Sequence, residues 1–238
     1  MESNVNFKGI DSNVYDVIYS TTKKYSLSTR WDETVYKQLY LAVKNLITNK
    51  EAMILDMGCG TGQFAQCLFE HGYYNYFGVD FSRIAIDIAS KRLISFYEDY
   101  TANSPNYMDV AKVIQYKNQF YGETFCIYGN IYKMNNHTFN LEFFDCICML
   151  EVLEHIERDL ELMWSIPAGK TIILSVPNFD SNTHVRYFQD LEDVKARYGI
   201  YIDIEEAFEI EIETKKTKPV KLFVVKGRKN KVNDDLPF

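Results

Sequence analysis

The run Met53-Ile54-Leu55-Asp56-Met57-Gly58-Cys59-Gly60-Thr61-Gly62-Gln63-Phe64-Ala65 constrains this chain more than any other stretch. A short apolar segment ends in a carboxylate, turns through three glycines and enters a helical pattern. Glycine lets the backbone approach a ligand with no Cβ in the way. The helix that follows aims its unpaired N–H groups and its positive dipole end at the same point. A strand, turn and helix in this order form a nucleotide-sized pocket at the strand's carboxyl end. Asp80 closes a second apolar run, Tyr76-Phe77-Gly78-Val79-Asp80, where its carboxylate can accept hydrogen bonds from a ribose diol.

Short apolar strands alternate with amphipathic helices along most of the chain, the pattern of a parallel sheet covered by helices on both faces. Strands are expected at 53–57, 75–80, 124–128, 143–150 and 171–176, and helices at about 62–71, from Ser82 onward, and around 191–197. Glu33 to Asn49 sets Val35, Leu39, Ala42, Val43, Leu46 and Ile47 on one helical face, with Asp32 as its N-cap. Residues 1–32 are polar and aromatic with no clear period. Two strands in series, near 200–211 and 219–226, end the chain without a helix between them. Residues 97–122 interrupt the rhythm. Met108 to Lys117 can form a short helix there, and so long a connection is either a functional lid or a surface elaboration.

Gly60-Thr61-Gly62-Gln63-Phe64-Ala65 satisfies the dinucleotide pattern G-x-G-x-x-A, and Asp80 stands at about the right distance for an NAD ribose. In a dinucleotide fold, however, the first glycine directly follows the strand, whereas here Asp56-Met57-Gly58-Cys59 intervenes. A carboxylate at that point repels a pyrophosphate and suits a cationic ligand.

D-x-G-C-G-T-G at Asp56 to Gly62, followed by G-V-D-F-S at Gly78 to Ser82, resembles the first two motifs of class I S-adenosylmethionine (SAM) dependent methyltransferases, over roughly residues 50–185. The resemblance implies a doubly wound, mostly parallel seven-stranded α/β sheet closed by a C-terminal antiparallel hairpin. It implies SAM as methyl donor and S-adenosylhomocysteine (SAH) as product. Asp56, Gly58, Cys59, Gly60, Gly62 and Gln63 would then cradle the methionine half, and Asp80 and Phe81 the ribose and adenine. Asn130 and Ile131 would flank the adenine, and Leu150 would be a further donor contact. The family commonly has Gly-Asp where this chain has Gly129-Asn130; an Asn carbonyl still accepts from the adenine amine. The N-terminal segment 1–49 would act as a cover, with Tyr25, Arg30 and Trp31 as donor contacts.

Two segments carry candidate chemistry beyond the donor. Glu151-Val152-Leu153-Glu154-His155 resembles the E-V-L-E-H box of quinone-biosynthesis O-methyltransferases and of small-RNA 2′-O-methyltransferases. In the RNA enzymes the glutamates and histidines bind a divalent metal. Those enzymes need a further histidine just beyond the box, where this chain has Ile156, Glu157 and Arg158, so no metal is expected. Ser175 to Phe188, with its V-P-N…H-V-R-x-F pattern, is similar to a subgroup of bacterial small-molecule methyltransferases associated with surface-glycan or natural-product pathways. Methyl transfer to a hydroxyl requires removal of its proton. His184 is the candidate general base, with His155 beside the acceptor. Glu151, Asn178 and Arg186 are candidate acceptor contacts, Arg186 as a clamp for an anionic group.

The net charge of −7 argues against a broad nucleic-acid surface. Five cysteines without metal-type spacing, and no apolar run long enough to span a bilayer, point to a reducing cytoplasm and no membrane partner. The expectation is one 238-residue methyltransferase domain, monomeric or homodimeric, that methylates an oxygen of a small polar metabolite such as a sugar or glycan precursor. A small-amine N-methyltransferase, an NAD-binding oxidoreductase and a non-catalytic SAM-binding module remain as alternatives.

Overall fold

The computed structural model describes residues 12–103, 126–128, 140–212 and 220–231. Its strands are β1 (Ile54–Met57), β2 (Tyr76–Asp80), β3 (Cys126–Tyr128), β4 (Cys146–Leu150), β5 (Thr171–Pro177), β6 (Ile202–Ile212) and β7 (Val220–Lys229). Its helices are α1 (Ser12–Thr21), α2 (Lys37–Leu46), α3 (Gln63–Glu70), α4 (Arg83–Asn103), α5 (Asp159–Ser165) and α6 (Leu191–Tyr198). The strands form one sheet in the order β3-β2-β1-β4-β5-β7-β6. β1 pairs in parallel with both β2 and β4, Ile54 standing opposite Tyr76 on one side and Cys146 on the other. β7 pairs antiparallel with both β5 and β6, which is the C-terminal hairpin expected from the sequence.

Side chains alternate across a strand, and the buried residues sort accordingly. Leu55, Met57, Ile147, Met149, Ile172 and Leu174 face one side, where Leu162 and Met163 of α5 and Val194 and Tyr198 of α6 cover them. Ile54, Tyr76, Cys146, Cys148 and Ile173 face the other, under Leu39 and Val43 of α2, Phe64 and Leu68 of α3, and Ala89 and Leu93 of α4. Both faces are therefore dry, and the ligand surface is left to the loops at the strand ends. The chain reverses its order at β1, and a doubly wound sheet opens its crevice outside the strand carboxyl ends at such a point.

Several boundaries differ from the sequence expectation. Residues 12–21, read as aperiodic, form helix α1. α2 begins at Lys37 rather than Glu33; Trp31–Glu33 make a tight 3₁₀ turn, and Tyr36 holds the N-cap position assigned to Asp32. The Asp32 carboxylate is engaged by Arg30 Nε at 3.2 Å, and Val35 is exposed. β4 starts at Cys146, because Leu141–Phe143 turn first and Asp145 ties back to Met53 through its carboxylate. The expected helix at 108–117 and most of the 97–122 insertion lie outside the described residues.

Candidate functional site

The loop after β1 is shaped by its glycines. Gly58, Gly60 and Gly62 have φ of 83°, 51° and 75°, the left-handed region that other residues enter at a cost. Gly58 and Cys59 donate their N–H groups to the Val79 carbonyl at 2.7 and 3.0 Å, which pins the loop to β2. A Cβ on Gly58 would overlap the Val152 side chain, so only glycine fits there. Gly62 caps the N-terminus of α3.

Two carboxylates flank this loop. Asp56 lies fully buried at the strand end, accepting the Tyr76 hydroxyl at 2.8 Å. Burial pushes its pKa up to about 7. Asp80 is also buried and is held at about 6, raised by desolvation and opposed by backbone N–H donors. Its two oxygens accept from Gly60 N at 2.9 Å and Ser82 N at 2.8 Å.

Beside the loop opens a cavity of about 360 Å³, within the range of small-molecule sites. Gly58, Asp80 and Phe81 line one end of it; Glu151, Glu154, His155 and His184 line it further along. A smaller recess of about 90 Å³ is bounded by Cys59, Gly60, Gln63 and Leu150. Tyr25 and Glu151 border both spaces. The sheet thus gathers Gly58, Asp80, Glu151 and His184 from the ends of β1, β2, β4 and β5.

β4 ends in Glu151, whose φ of 56° makes it the one non-glycine residue in the left-handed region among those described. The Ser175 hydroxyl donates to Glu151 Oε1 at 2.8 Å, and burial raises the Glu151 pKa to about 7. A 3₁₀ turn, Leu153–His155, then places Glu154 and His155. Glu154 is 1% exposed, and neither of its carboxylate oxygens has a hydrogen-bond partner among the described residues. Burial, reinforced by the nearby Glu151, raises its pKa well above the usual range. His155 Nδ1 donates to the Thr183 carbonyl at 2.9 Å, and the same nitrogen lies 2.8 Å from the Tyr15 hydroxyl. Burial lowers the His155 pKa to about 4. His184 stacks edge-on against it with ring centroids 4.7 Å apart, and its own Nδ1 donates to the Phe179 carbonyl at 3.0 Å.

Helix α1 forms a wall of this cavity through Tyr15, Ile18 and Tyr19. Tyr15 packs on Phe81 with centroids 5.0 Å apart, and Asp16 accepts the Ser82 hydroxyl. Arg92, buried in α4, donates to the carbonyls of Ser26, Thr29 and Thr61, and so joins the cover segment to the glycine loop. Gln63 adds bonds to Lys24 O and Thr29 O at 2.8 and 3.1 Å.

Some sequence-nominated residues are engaged elsewhere. Arg30 pairs with Glu70 at 2.9 and 3.0 Å, and Trp31 Nε1 donates to the same carboxylate at 2.8 Å. Both residues fasten the cover to α3 and line neither cavity. The Arg186 guanidinium donates to the carbonyls of Leu153, Ile156 and Glu157 and faces Asp159 at 3.3 Å. It is a clamp, but on the protein's own turn rather than on an acceptor. Asn178 Oδ1 accepts from Lys221 N at 2.9 Å, joining the end of β5 to β7. Asn130 and Ile131 lie outside the described residues. Lys24, Phe179 and Thr183 line the cavity without having been nominated. The i, i+4 aromatic pair Tyr15 and Tyr19 was the signal that a helix, and not a coil, lines the cavity here.

A family model described as a methyltransferase domain matches residues 30–200. A search of curated proteins found no significant match. Among solved structures, the PH0226 protein from Pyrococcus horikoshii OT3 superposes with a TM-score of 0.58 at 14% identity, over 90% of this chain and 99% of that one. The N-methyltransferase NodS from Bradyrhizobium japonicum WM9, in complex with SAH, gives 0.58 at 14% identity, over 92% and 97%. Magnesium protoporphyrin IX methyltransferase (ChlM) from Synechocystis PCC 6803, with bound SAM, gives 0.55 at 14% identity, over 92% and 98%. At this identity the likenesses establish the fold.

Proposed function

Since the chain belongs to the methyltransferase-domain family, as a class I SAM-dependent enzyme, we propose that it transfers the methyl group of SAM to an oxygen of a small polar metabolite. The observation that carries this reading is the continuity of one cavity. Gly58, Asp80 and Phe81 border its donor end, and Glu151, His155 and His184 its acceptor end. In-line displacement needs nucleophile, methyl carbon and sulfur in one line, and a shared cavity of this kind provides that positioning. A sulfonium gains from the aromatic faces of Tyr15, Tyr19 and Tyr25 around it.

In this reading the glycine loop, with Cys59, Gln63 and Leu150, holds the methionine half, and Asp80 accepts the ribose hydroxyls. The whole chain acts as a single domain with its N-terminal segment as the cover. His184 and His155 activate the acceptor hydroxyl, and Glu151 orients it. Aromatic rings mixed with Lys24, Ser181 and Thr183 suit the faces and edges of a sugar, which supports a glycan precursor or natural-product building block as acceptor. None of the helices in the described residues is long and apolar enough to cross a membrane.

Isothermal titration of the folded chain with SAH, followed by transfer of labelled methyl to a panel of sugars and small amines, tests the proposal. Saturable SAH binding with label on a hydroxyl is the expected result. Label found only on amines would move the acceptor to nitrogen, and folded protein that takes up neither SAM nor SAH would end the reading.

A further inference from the structure

We propose that Glu154, His155 and His184 form a binding site for a first-row divalent transition-metal ion at the acceptor end of the cavity. One ligand atom from each residue lies within 4.8 Å of the others. His155 Nε2 and Glu154 Oε1 are 3.6 Å apart, close to the edge of about 3.3 Å that a tetrahedral site with bonds near 2.0–2.1 Å requires.

Two independent features point to a cation. The first is the Glu154 carboxylate, which is buried, turned toward the cavity and without a hydrogen-bond partner among the described residues. A carboxylate in that position is costly unless it is paired or coordinates a metal. The second is the way the histidines are held. Nδ1 of His155 is fixed by the Thr183 carbonyl and Nδ1 of His184 by the Phe179 carbonyl. A carbonyl can only accept, so both rings carry their proton on Nδ1 and present Nε2 as the lone-pair nitrogen. Metal-ligating histidines are oriented by such outer bonds, which set both tautomer and ring angle.

The expectation that no metal binds rested on the missing histidine just after the E-V-L-E-H run. The fold supplies one from the loop after β5: Val185 and Arg186 N–H groups both bond to the Glu154 carbonyl and dock that loop beside the turn. Two imidazoles with a carboxylate favour zinc, iron, cobalt or manganese over magnesium or calcium. Three protein ligands leave coordination positions open toward the cavity, where an acceptor oxygen can bind and be made more acidic; with the ion bound, the two histidines activate that hydroxyl through the metal rather than by taking its proton themselves. That last role rests on the methyl-transfer reading; the metal site itself does not.

The test uses the full chain stripped of metal with chelator, then titrated with Co²⁺ while its visible ligand-field bands are recorded, with Zn²⁺ competition followed by calorimetry. The expected result is one Co²⁺ per chain in a distorted tetrahedral or five-coordinate spectrum, displaced by Zn²⁺ and not by Mg²⁺. Glu154→Gln, which keeps the side-chain shape, and His184→Ala should each weaken binding by at least about tenfold. Circular dichroism confirms that each variant is folded. Folded wild-type protein that binds SAH but takes up neither metal would overturn the proposal and leave the methyl-transfer reading intact. Wild-type affinity in both variants would overturn it as well. Metal uptake without any SAH binding would instead remove the methyl-transfer reading and leave the metal site standing.

Discussion

Asp80 Oδ2 accepts the backbone N–H of Gly60 at 2.9 Å, so the acid at the end of β2 also fixes the loop that follows β1. In the proposed reading, removing the side chain therefore takes away a donor contact and the order of the loop together. Asp80→Ala is expected to lower SAH affinity by roughly 10–100-fold, the range of a lost hydrogen bond to a charged group. Asp80→Asn, which retains an oxygen for Gly60, should lose less. Calorimetric titration of both variants with SAH checks the order.

Gly58→Ala meets two obstacles, the φ of 83° and the Val152 side chain. Val152→Ala removes only the second. The single variant should lose stability by about 1–3 kcal/mol from backbone strain plus the overlap. The double variant should recover the part due to overlap and still bind SAH weakly. Urea unfolding of the three proteins separates the two contributions; full rescue by Val152→Ala would show that the backbone angle costs nothing.

The buried acids also predict a pH dependence. Asp56 at about 7 and Asp80 at about 6 both lie above the unfolded value of about 3.9. The folded state therefore holds these protons more tightly than the unfolded chain. Their stabilising contribution is complete below about pH 4 and is lost as pH rises through 6 to 7. The donor-free protein should have a lower melting temperature at pH 8 than at pH 5 on their account. Asp56→Asn, which can still accept from Tyr76, should flatten that slope in a thermal melt series.

Arg92 supports the cover from beneath, with bonds of 2.9 Å each to the carbonyls of Ser26, Thr29 and Thr61. Arg92→Ala leaves the Ser26 and Thr61 carbonyls without this donor, while Thr29 keeps Gln63, at a cost of about 1–3 kcal/mol for each one that water does not reach. The N-terminal segment should then be cut by protease well before the sheet, and SAH should no longer protect it. Limited proteolysis with and without SAH reads this directly.

Asp159 is fully buried and accepts from Arg197 at 2.8 and 2.7 Å and from the Tyr198 hydroxyl at 2.8 Å, with Arg186 at 3.3 Å. Asp159→Asn leaves two half-buried guanidinium groups without their counter-charge, a loss of about 1–3 kcal/mol. Urea denaturation should show it as a lower midpoint with an unchanged slope.

Much of this was legible in the residues. The glycine turn, Asp80, the alternation of strands and helices and the closing hairpin follow from local pattern, because each depends on side-chain period and backbone freedom over a few residues. What pattern could not supply was pairing across distance. Arg186 reads as an anion clamp in sequence, yet its partners are carbonyls three decades of numbering away, at Leu153, Ile156 and Glu157. Arg30 and Trp31 read as donor contacts in sequence, but Glu70 claims them. His184 and His155 were nominated separately, and only the docking of the loop after β5 reveals that they meet.

Glu151 keeps a backbone angle that glycine would adopt freely, at a cost of roughly 1–2 kcal/mol. A screen that rewarded heat resistance alone would drift toward glycine there and discard the acid. Evolution under such a pressure would yield a sturdier protein that lacks the carboxyl group lining the cavity near His155.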